Sequence, residues 1–221
     1  NYLASGGQVV FEAEGFDAAV AQSGKTWNVS NTPAGASGSF MVAGPNTGTL
    51  LQSNIPTTSP RLDYRILFET AGTYAVWLRS YAPSDPDNSI FFGLDGSVQG
   101  TLSLSTYGST LWTRAQHATT VLATLNVPSP GVHTFNVWMR EDGYPIDKFL
   151  LTTNSGYTPS GAGPEASARG YPTPDTTPPV VQAVSPIAAA TGQALTVTPA
   201  ISFNEPVVNF AAITLAPAAG G

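Results

Sequence analysis

The chain has 221 residues, a net charge of −6, 10% charged residues, 22 glycines, 19 prolines and no cysteine. This composition excludes disulfides and thiol chemistry, and a negative chain without a basic patch is poorly suited to bind nucleic acid. The sequence contains no apolar run of about 18 residues, so it does not predict a membrane-inserted helix. Few charges and many turn-forming residues predict short strands joined by turns.

The first predicted strand is QVVFEAE, residues 8–14. Successive side chains of a strand point to opposite faces, so Glu12 and Glu14 share one face. The other face is predicted to turn to the core with Val9, Phe11 and Ala13. Two neighbouring carboxylates repel each other unless a metal ion, a basic side chain or a shared catalytic proton lies between them.

Eight further segments are predicted as strands, in the order SFMVAG, RLDYRILFE, TYAVWLRSYA, SIFFGLDG, TLSLST, TTVLATLNV, VHTFNVWMRE and IDKFLLTT. The second alternates most clearly, with its apolar side chains on one face at Leu62, Tyr64, Ile66 and Phe68. TTVLATLNV and VHTFNVWMRE, joined by the turn PSPG, are predicted to form a hairpin. Together the segments predict an all-β fold over residues 1–153, an antiparallel β-sandwich of the jelly-roll type.

The character of the sequence changes after Thr153. Residues 154–178 are rich in Pro, Gly, Ser and Thr without an apolar period, which predicts an irregular tail and linker. Strand-like segments resume within residues 179–221. Because about 45 residues are too few for a typical all-β domain to bury a core alone, this part is predicted to be a truncated module.

Three stretches carry a family resemblance, namely FEAE, SPRLDYRILFETAGTYAVWLRSYAPSDPDNSIFFGLDG and HTFNVWMREDGYPIDKFLLTT. They resemble, in this order, carbohydrate-binding modules of the galactose-binding-like β-sandwich type, families 6 and 35. The later segment DTTPPVVQAVSP…ISFNEPVV resembles the first half of a bacterial Ig-like domain. The resemblance implies a secreted or cell-surface bacterial protein that binds polysaccharide or oligosaccharide beside a catalytic domain of its parent chain. We expect a monomer.

The resemblance also implies a structural calcium ion, held by the carboxylates of Glu12, Glu14 and Asp147. Calcium takes six to eight oxygen ligands, and a loop carbonyl around residues 37–39 could complete the set. One alternative is a salt bridge from either glutamate to a basic side chain such as Lys25, Lys148 or an arginine. The other is glycoside hydrolysis by the two glutamates, since i and i+2 residues lie near the required separation. We favour the metal.

Sugars are bound by aromatic faces and polar side chains, which a rigid sandwich presents on its loops. The predicted ligand-binding residues are Trp27, Tyr81, Asp85, Asn88, Trp112, Asp142 and Tyr144. The family's strand order would bring their loops to one end of the sandwich, although burial under a loop is an open alternative for each aromatic ring. Trp77 and Trp138 lie mid-strand, and we interpret both as packing on a sheet face.

The segment DPDN at residues 85–88 has two interpretations. It could hold a second calcium ion that bridges protein and ligand, or its Asp, Asn and Pro residues could simply form turns. We favour the turns.

The predicted function is non-catalytic carbohydrate binding. His117 and His133 are the only histidines, and the chain has no GxSxG elbow, no P-loop and no zinc-binding spacing. Two alternatives stay open. One is a structural or adhesive spacer without a glycan site, and the other is a β-sandwich lyase or hydrolase that uses Arg114, Arg140, Glu141 and Asp142.

Overall fold

The structure is a computed structural model that describes residues 1–171, 180–185 and 200–203. The chain divides into two compact units, Asn1–Pro172 and Thr173–Gly221. Residues 172–178 of the predicted linker lie outside the described residues. The two units are therefore described separately.

The described part of the first unit contains thirteen strands and one short helix. They are β1 Tyr2–Leu3, β2 Gln8–Glu12, β3 Ala18–Val20, β4 Thr26–Ser30, β5 Phe40–Gly44, α1 Ile55–Thr58, β6 Arg61–Phe68, β7 Gly72–Tyr81, β8 Ser89–Leu94, β9 Ser97–Ser103, β10 Thr110–Thr113, β11 Thr124–Val127, β12 Gly131–Met139 and β13 Ile146–Thr152. Among the described residues of the chain, no helix has the length and apolarity needed to cross a membrane.

The strands form two sheets that face each other. The first sheet has the order β1-β6-β12-β8-β9, with β3 also paired to β6. The second has the order β10-β7-β13-β5-β4, with β11 also paired to β7 and β2 to β13. Apart from the parallel pair of β1 and β6, the strand pairs are antiparallel. The predicted all-β antiparallel sandwich is confirmed.

The core lies between the inner faces of the sheets and centres on Phe11. The ring of Phe11 has its centroid 4.8 Å from that of Tyr64, 5.6 Å from Phe135 and 5.4 Å from Phe149. The predicted inward residues of β2 and β6 all belong to this core. The alternation of apolar residues therefore located the core faces of both strands correctly.

The predicted hairpin between TTVLATLNV and VHTFNVWMRE is wrong. β11 pairs with β7 in the second sheet, whereas β12 lies between β6 and β8 in the first. The PSPG segment thus carries the chain from one sheet to the other. Two consecutive strands show the same alternation of apolar and polar residues whether they pair in one sheet or lie in two facing sheets. The alternation therefore cannot distinguish a hairpin from an arch between sheets.

Residues 154–171, which we call the strap, belong to the first unit although they form no strand. The backbone N–H of Ser167 donates to Val10 O at 2.8 Å, and the N–H of Val10 donates to Ser167 Oγ at 3.0 Å. The N–H of Leu3 donates to Ala168 O at 2.9 Å. The compact unit therefore continues past Thr153, where the sequence predicted its end.

In the second unit, β14 Val181–Ser185 pairs antiparallel with β15 Ala200–Phe203. The remainder of the predicted module 179–221 lies outside the described residues. Its Ig-like character stays a prediction.

Replacement of Phe11 by alanine should lower the free energy of unfolding by about 3–5 kcal/mol, because it removes a fully buried ring and leaves a cavity. Urea unfolding of the full chain, followed by tryptophan fluorescence, measures this change. Val29→Ala is a suitable control, since Val29 is 60% exposed and its truncation should cost less than about 0.5 kcal/mol. Equal effects of the two substitutions would contradict the central position of Phe11.

Candidate functional site

The outer face of β7, which points away from the core, carries Trp77, Arg79 and Tyr81. These three residues are partly exposed and alternate with buried neighbours along the strand. β10 pairs antiparallel with β7 and places Trp112 directly opposite Arg79. Residues directly opposite each other in a ladder share one face of the sheet. Two indole side chains and one guanidinium therefore meet on the same outer face.

A cavity of about 410 Å³ opens on this face. Its sheet side is lined by Trp77, Arg79 and residues 110–112, and its other side by residues 158–161 of the strap. The sequence predicted a ligand role for Trp112 but interpreted Trp77 as packing. Alternation places Trp77 off the core face, and only the tertiary structure reveals that the strap leaves its ring at an open cavity.

The strap is bonded to the cavity wall. The carbonyl of Gly161 accepts hydrogen bonds from Trp112 Nε1 and from Arg79 Nε, each at 3.1 Å. The Nε1 of Trp77 is shielded and has no hydrogen-bond partner among the described residues. The indole of Trp112 thus has a fixed orientation, while Trp77 retains an unused donor.

The loop that follows β7 carries a second group of predicted residues. Asp85 Oδ1 accepts hydrogen bonds from Tyr107 Oη at 2.9 Å and from Asn88 Nδ2 at 3.2 Å. Tyr107 is 44% exposed and was missed from the sequence, where nothing distinguishes it from a loop-packing tyrosine. Asn88 is buried, and its Oδ1 has no partner among the described residues. Asp85 and Tyr107 therefore form a polar surface with one exposed aromatic ring, whereas Asn88 lies buried beneath it and does not fit its predicted ligand-binding role.

Asp87 in the same loop is held from both sides. Its N–H donates to Ser84 O at 3.2 Å, which closes a turn, and its Oδ2 accepts from Asn46 Nδ2 at 3.1 Å. Burial raises the pKa of Asp87 above its ordinary value, although the hydrogen bond from Asn46 acts in the opposite direction. The turn interpretation of residues 85–88 agrees with these contacts.

Trp27 and Tyr144 do not fit their predicted role as ligand-binding residues. Trp27 lies in β4 with 6% of its surface exposed, and its Nε1 donates to Pro60 O at 3.1 Å. Tyr144 is fully buried and its hydroxyl lies 2.5 Å from Ser80 Oγ. Neither ring offers a free face to a sugar. The sequence could not show this, because both residues follow turn-like segments that resemble binding loops.

Asp142 also differs from its predicted role, because it is fully buried in an ion pair with Lys25 at 2.5 Å. Its carboxylate accepts backbone N–H groups from Thr47 at 2.8 Å and from Thr49 at 2.9 Å. Burial alone would raise the pKa of Asp142, but the bonds from Lys25 and the two threonines lower it below its ordinary value. Asp142 therefore fixes the loop 45–49 rather than facing a ligand.

The residues proposed for an enzymatic alternative are engaged inside the protein. Arg140 pairs with Glu141 at 2.5 Å, and both are buried. Arg114 donates to Ala123 O at 3.0 Å and to Ser155 O at 3.3 Å. With Asp142 paired to Lys25, these four side chains do not converge on a common open cleft.

The predicted metal ligands surround the loop at residues 37–39. Ser39 N–H donates to Glu14 Oε1 at 2.9 Å, and Ser37 N–H donates to Asp147 Oδ1 at 2.8 Å. Glu12 Oε1 pairs with Lys148 Nζ at 2.9 Å. The salt-bridge alternative for Glu12 is therefore present in the structure. The other oxygen of Asp147 is bound by Arg79.

Two oxygens of this cluster are left over. Glu12 Oε2 and Glu14 Oε2 are shielded and have no hydrogen-bond partner among the described residues. Burial raises the pKa of Glu12 above its ordinary value, and the neighbouring Lys148 only partly offsets this. Calcium prefers oxygen ligands such as carboxylates, and these two oxygens accept no hydrogen bond from the described part of the chain that would compete with an ion. Across the described ranges, however, no three acidic or histidine side chains are grouped so that they could hold a metal ion by themselves.

A protein family and a curated protein match this chain. The family described as Glycosyl hydrolase family 115 C-terminal domain matches residues 1–166. An uncharacterized protein P23 from Formosa agariphila is 36% identical over 122 residues, which cover 51% of this chain and 30% of that protein. The chain thus spans less than a third of this curated relative.

Several solved structures with a similar fold contain carbohydrate-binding modules. The Podospora anserina GH26-CBM35 β-(1,4)-mannanase aligns with a TM-score of 0.48 and 17% identity over 70% of this chain and 29% of its own. The C-terminal family 6 module of LamC from Zobellia galactanivorans aligns with a TM-score of 0.47 and 20% identity over 66% and 99%. A family 35 module from Clostridium thermocellum gives a TM-score of 0.42 and 12% identity over 65% and 96%. The solved structures similar to this chain thus include modules of families 6 and 35.

Replacement of Lys25 by methionine should lower the free energy of unfolding at pH 7 by about 3–5 kcal/mol, because it leaves the buried Asp142 charge without its cation. The pKa of Asp142 is lower in the folded protein than in the unfolded chain. Its stabilising contribution is therefore full above the ordinary carboxyl range and is lost as the pH falls through the folded value. We expect the difference between wild type and variant to shrink below about pH 4.

Urea unfolding curves collected from pH 7 to pH 3 measure both effects. Arg65→Met is the matched control, since Arg65 is exposed and its replacement should change stability by less than about 0.5 kcal/mol. A Lys25→Met protein as stable as wild type at pH 7 would contradict the structural role of the pair.

Proposed function

Since the match over residues 1–166 shows that the chain belongs to the glycosyl hydrolase family 115 C-terminal domains, we propose that its first unit is a non-catalytic carbohydrate-binding module. The module would hold a secreted polysaccharide-degrading protein against its glycan, and the catalytic domain would lie elsewhere in the parent chain. A single module of this kind binds weakly, and several modules in one chain raise the overall affinity through effective concentration.

The cavity between Trp77 and Trp112 is the observation that carries this proposal. Aromatic faces bury the C–H surface of a sugar ring. Thr110, Thr158 and Ser160 line the same cavity, and hydroxyl side chains can exchange hydrogen bonds with sugar hydroxyls. Two partly exposed indoles with hydroxyl neighbours on a rigid sheet suit a neutral sugar.

The polar loop surface extends this site. Tyr81 follows Trp77 by four residues on the same face of β7, which corresponds to about 13 Å along the strand. Asp85, Asn88 and the newly found Tyr107 lie beyond the end of β7. We assign Trp77 and Trp112 to the main contact, and Tyr81 with Asp85 and Tyr107 to an outer contact of a longer glycan.

The arrangement of the acidic groups supports binding rather than catalysis. General acid–base hydrolysis of a glycoside needs two carboxyl groups that face one open site. Asp142 and Glu141 are instead buried in ion pairs with Lys25 and Arg140. Glu12 pairs with Lys148. These carboxylates hold elements of the fold together.

We further propose that Glu12 and Glu14 hold a structural calcium ion through their unpaired oxygens. The support is the presence of two shielded carboxylate oxygens without hydrogen-bond donors in the described structure, one at the end of β2 on Glu12 and one in the turn that follows on Glu14. Backbone carbonyls and water would have to supply most of the remaining ligands. Asp147, the third predicted ligand, contributes less than expected because Arg79 occupies one of its oxygens.

Replacement of Trp77 by alanine should weaken glycan binding at least about tenfold, which corresponds to roughly 1.4 kcal/mol of lost stacking. Trp112→Phe should weaken it less, because phenylalanine keeps a ring but loses the bond to Gly161. Affinity gels and isothermal titration with soluble laminarin, xylan, mannan and mixed-linkage β-glucan measure these effects.

Tyr171→Ala is the control for the tryptophan substitutions, since Tyr171 is 80% exposed and does not line the cavity. Its affinity should equal that of wild type. Wild-type protein that binds none of a broad set of polysaccharides would favour the spacer alternative. Unchanged binding by Trp77→Ala would place the glycan elsewhere.

Calcium should raise the melting temperature of the wild-type chain relative to EDTA, by mass action on the folded state. Glu14→Gln should abolish this difference, because it removes the charge of one proposed ligand. Calcium needs ionised carboxylates, and the pKa of Glu12 is raised. The increase in melting temperature with calcium should therefore become smaller as the pH is lowered toward the carboxyl range.

Differential scanning calorimetry with calcium and with EDTA measures this increase, and Glu69→Gln serves as the exposed control. Identical melting temperatures of the wild-type chain with calcium and with EDTA would exclude the ion.

A further inference from the structure

The strap turns its backbone carbonyls toward side-chain donors of the sheet. Gly161 O accepts from Arg79 and Trp112. Lys148 Nζ donates to Ala162 O and to Pro164 O, each at 3.1 Å. These donors stand on the outer face of β7, β10 and β13, which is the face that carries the indole rings. The strap therefore occupies hydrogen-bonding groups that would otherwise be open to a ligand on this face.

The strap covers one half of the face and leaves the other half open. Val10, Lys148 and Leu150 point outward from β2 and β13, yet each is at most 2% exposed. Leu150 is the direct neighbour of Trp77 across the β13–β7 pair. Without the strap, the face would run without interruption from β10 across β7 and β13 to β2. With it, the open part ends at Trp77 and the strap residues 158–161.

We propose that the strap makes the site a recognition site for the end of a glycan chain. A polysaccharide that continued from the indoles across the sheet toward β13 would meet the strap, because residues 158–161 line the cavity beside Trp77 and residues 162 and 164 lie over Lys148. A terminal sugar can enter between β10 and the strap and stack on the indoles. This inference rests on the proposed function and specifies which part of a glycan the module recognises.

Gly163 allows the strap to lie this close to the indole. It has φ +76°, and a Cβ atom at this position would lie 2.5 Å from Trp112 Cζ2. An alanine there adds backbone strain and forces the strap and the ring apart. Gly163→Ala therefore loosens the strap where it closes the site. Lys148→Met is a second variant that acts at another point of the strap, because it removes the donor to two strap carbonyls. It also removes the ion-pair partner of Glu12.

The test uses the full chain and the polysaccharides that wild type binds in the panel of laminarin, xylan, mannan and β-glucan. Each is compared intact and after partial acid hydrolysis to about one tenth of its chain length, at equal mass. If chain ends are recognised, the apparent affinity per mass should rise about tenfold with the number of ends. Affinity per chain end should stay constant.

The strap variants are compared with Gly48→Ala, a matched control whose glycine has φ +74° and no atom within 4 Å of the added Cβ. Gly48→Ala should keep the dependence on chain ends. Gly163→Ala and Lys148→Met should reduce it to about twofold or less, because a loosened strap admits internal chain segments. Hydrogen exchange at residues 158–164 should increase in both variants.

The outcomes separate the two proposals. Wild-type affinity that follows polymer mass would overturn end recognition and leave glycan binding intact. Dependence on chain ends that persists in both folded strap variants would overturn the role of the strap. Absence of any glycan binding by wild type would overturn both proposals. Wild-type dependence on ends that only the strap variants lose would support the inference.

Discussion

The ion pair between Arg79 and Asp147 is the contact on which the outer face of the second sheet depends. Asp147 lies fully buried at an irregularity of β13, and Arg79 belongs to the adjacent β7. The same guanidinium donates to Gly35 O at 2.9 Å and to Gly161 O at 3.1 Å. One cation thus joins two strands, a loop and the strap. Because a buried charge without its partner costs about 3–5 kcal/mol, this arrangement resists local opening.

The same contact gives the proposed glycan site its rigidity. Trp112 lies opposite Arg79 in the strand ladder and shares the Gly161 carbonyl with it. The indole is therefore oriented before any ligand arrives, and less side-chain freedom is lost on binding. Trp77 is anchored mid-strand on the same sheet. A site on strands also keeps its geometry better than one on loops. The sandwich and the strap position the aromatic rings together.

The sequence predicted the strands and the core faces well, because alternation is a local property. RLDYRILFE shows one clear apolar face, and its four inward residues are buried. Alternation does not say what covers the other face. Trp77 and Trp138 both lie off the core face, yet Trp138 is fully buried while Trp77 lines a cavity. The strap escaped prediction for a related reason. Its hydrogen bonds go to distant strands, so its own residues show no periodic pattern.

Most basic side chains of the chain are engaged in ion pairs within the fold, so the aromatic rings are the main groups that remain for contact with a ligand. Of the eight basic side chains, six form ion pairs with carboxylates, namely Lys25, Arg61, Arg79, Arg140, Lys148 and Arg169. Arg114 donates to backbone carbonyls. Few cations are therefore available to an anionic ligand, and the net charge of −6 repels one. Arg79 also lines the cavity, but its charge is paired with Asp147, so aromatic rings and hydroxyls are the other groups that the lining offers to a ligand. A neutral sugar meets these groups without the desolvation of a charge.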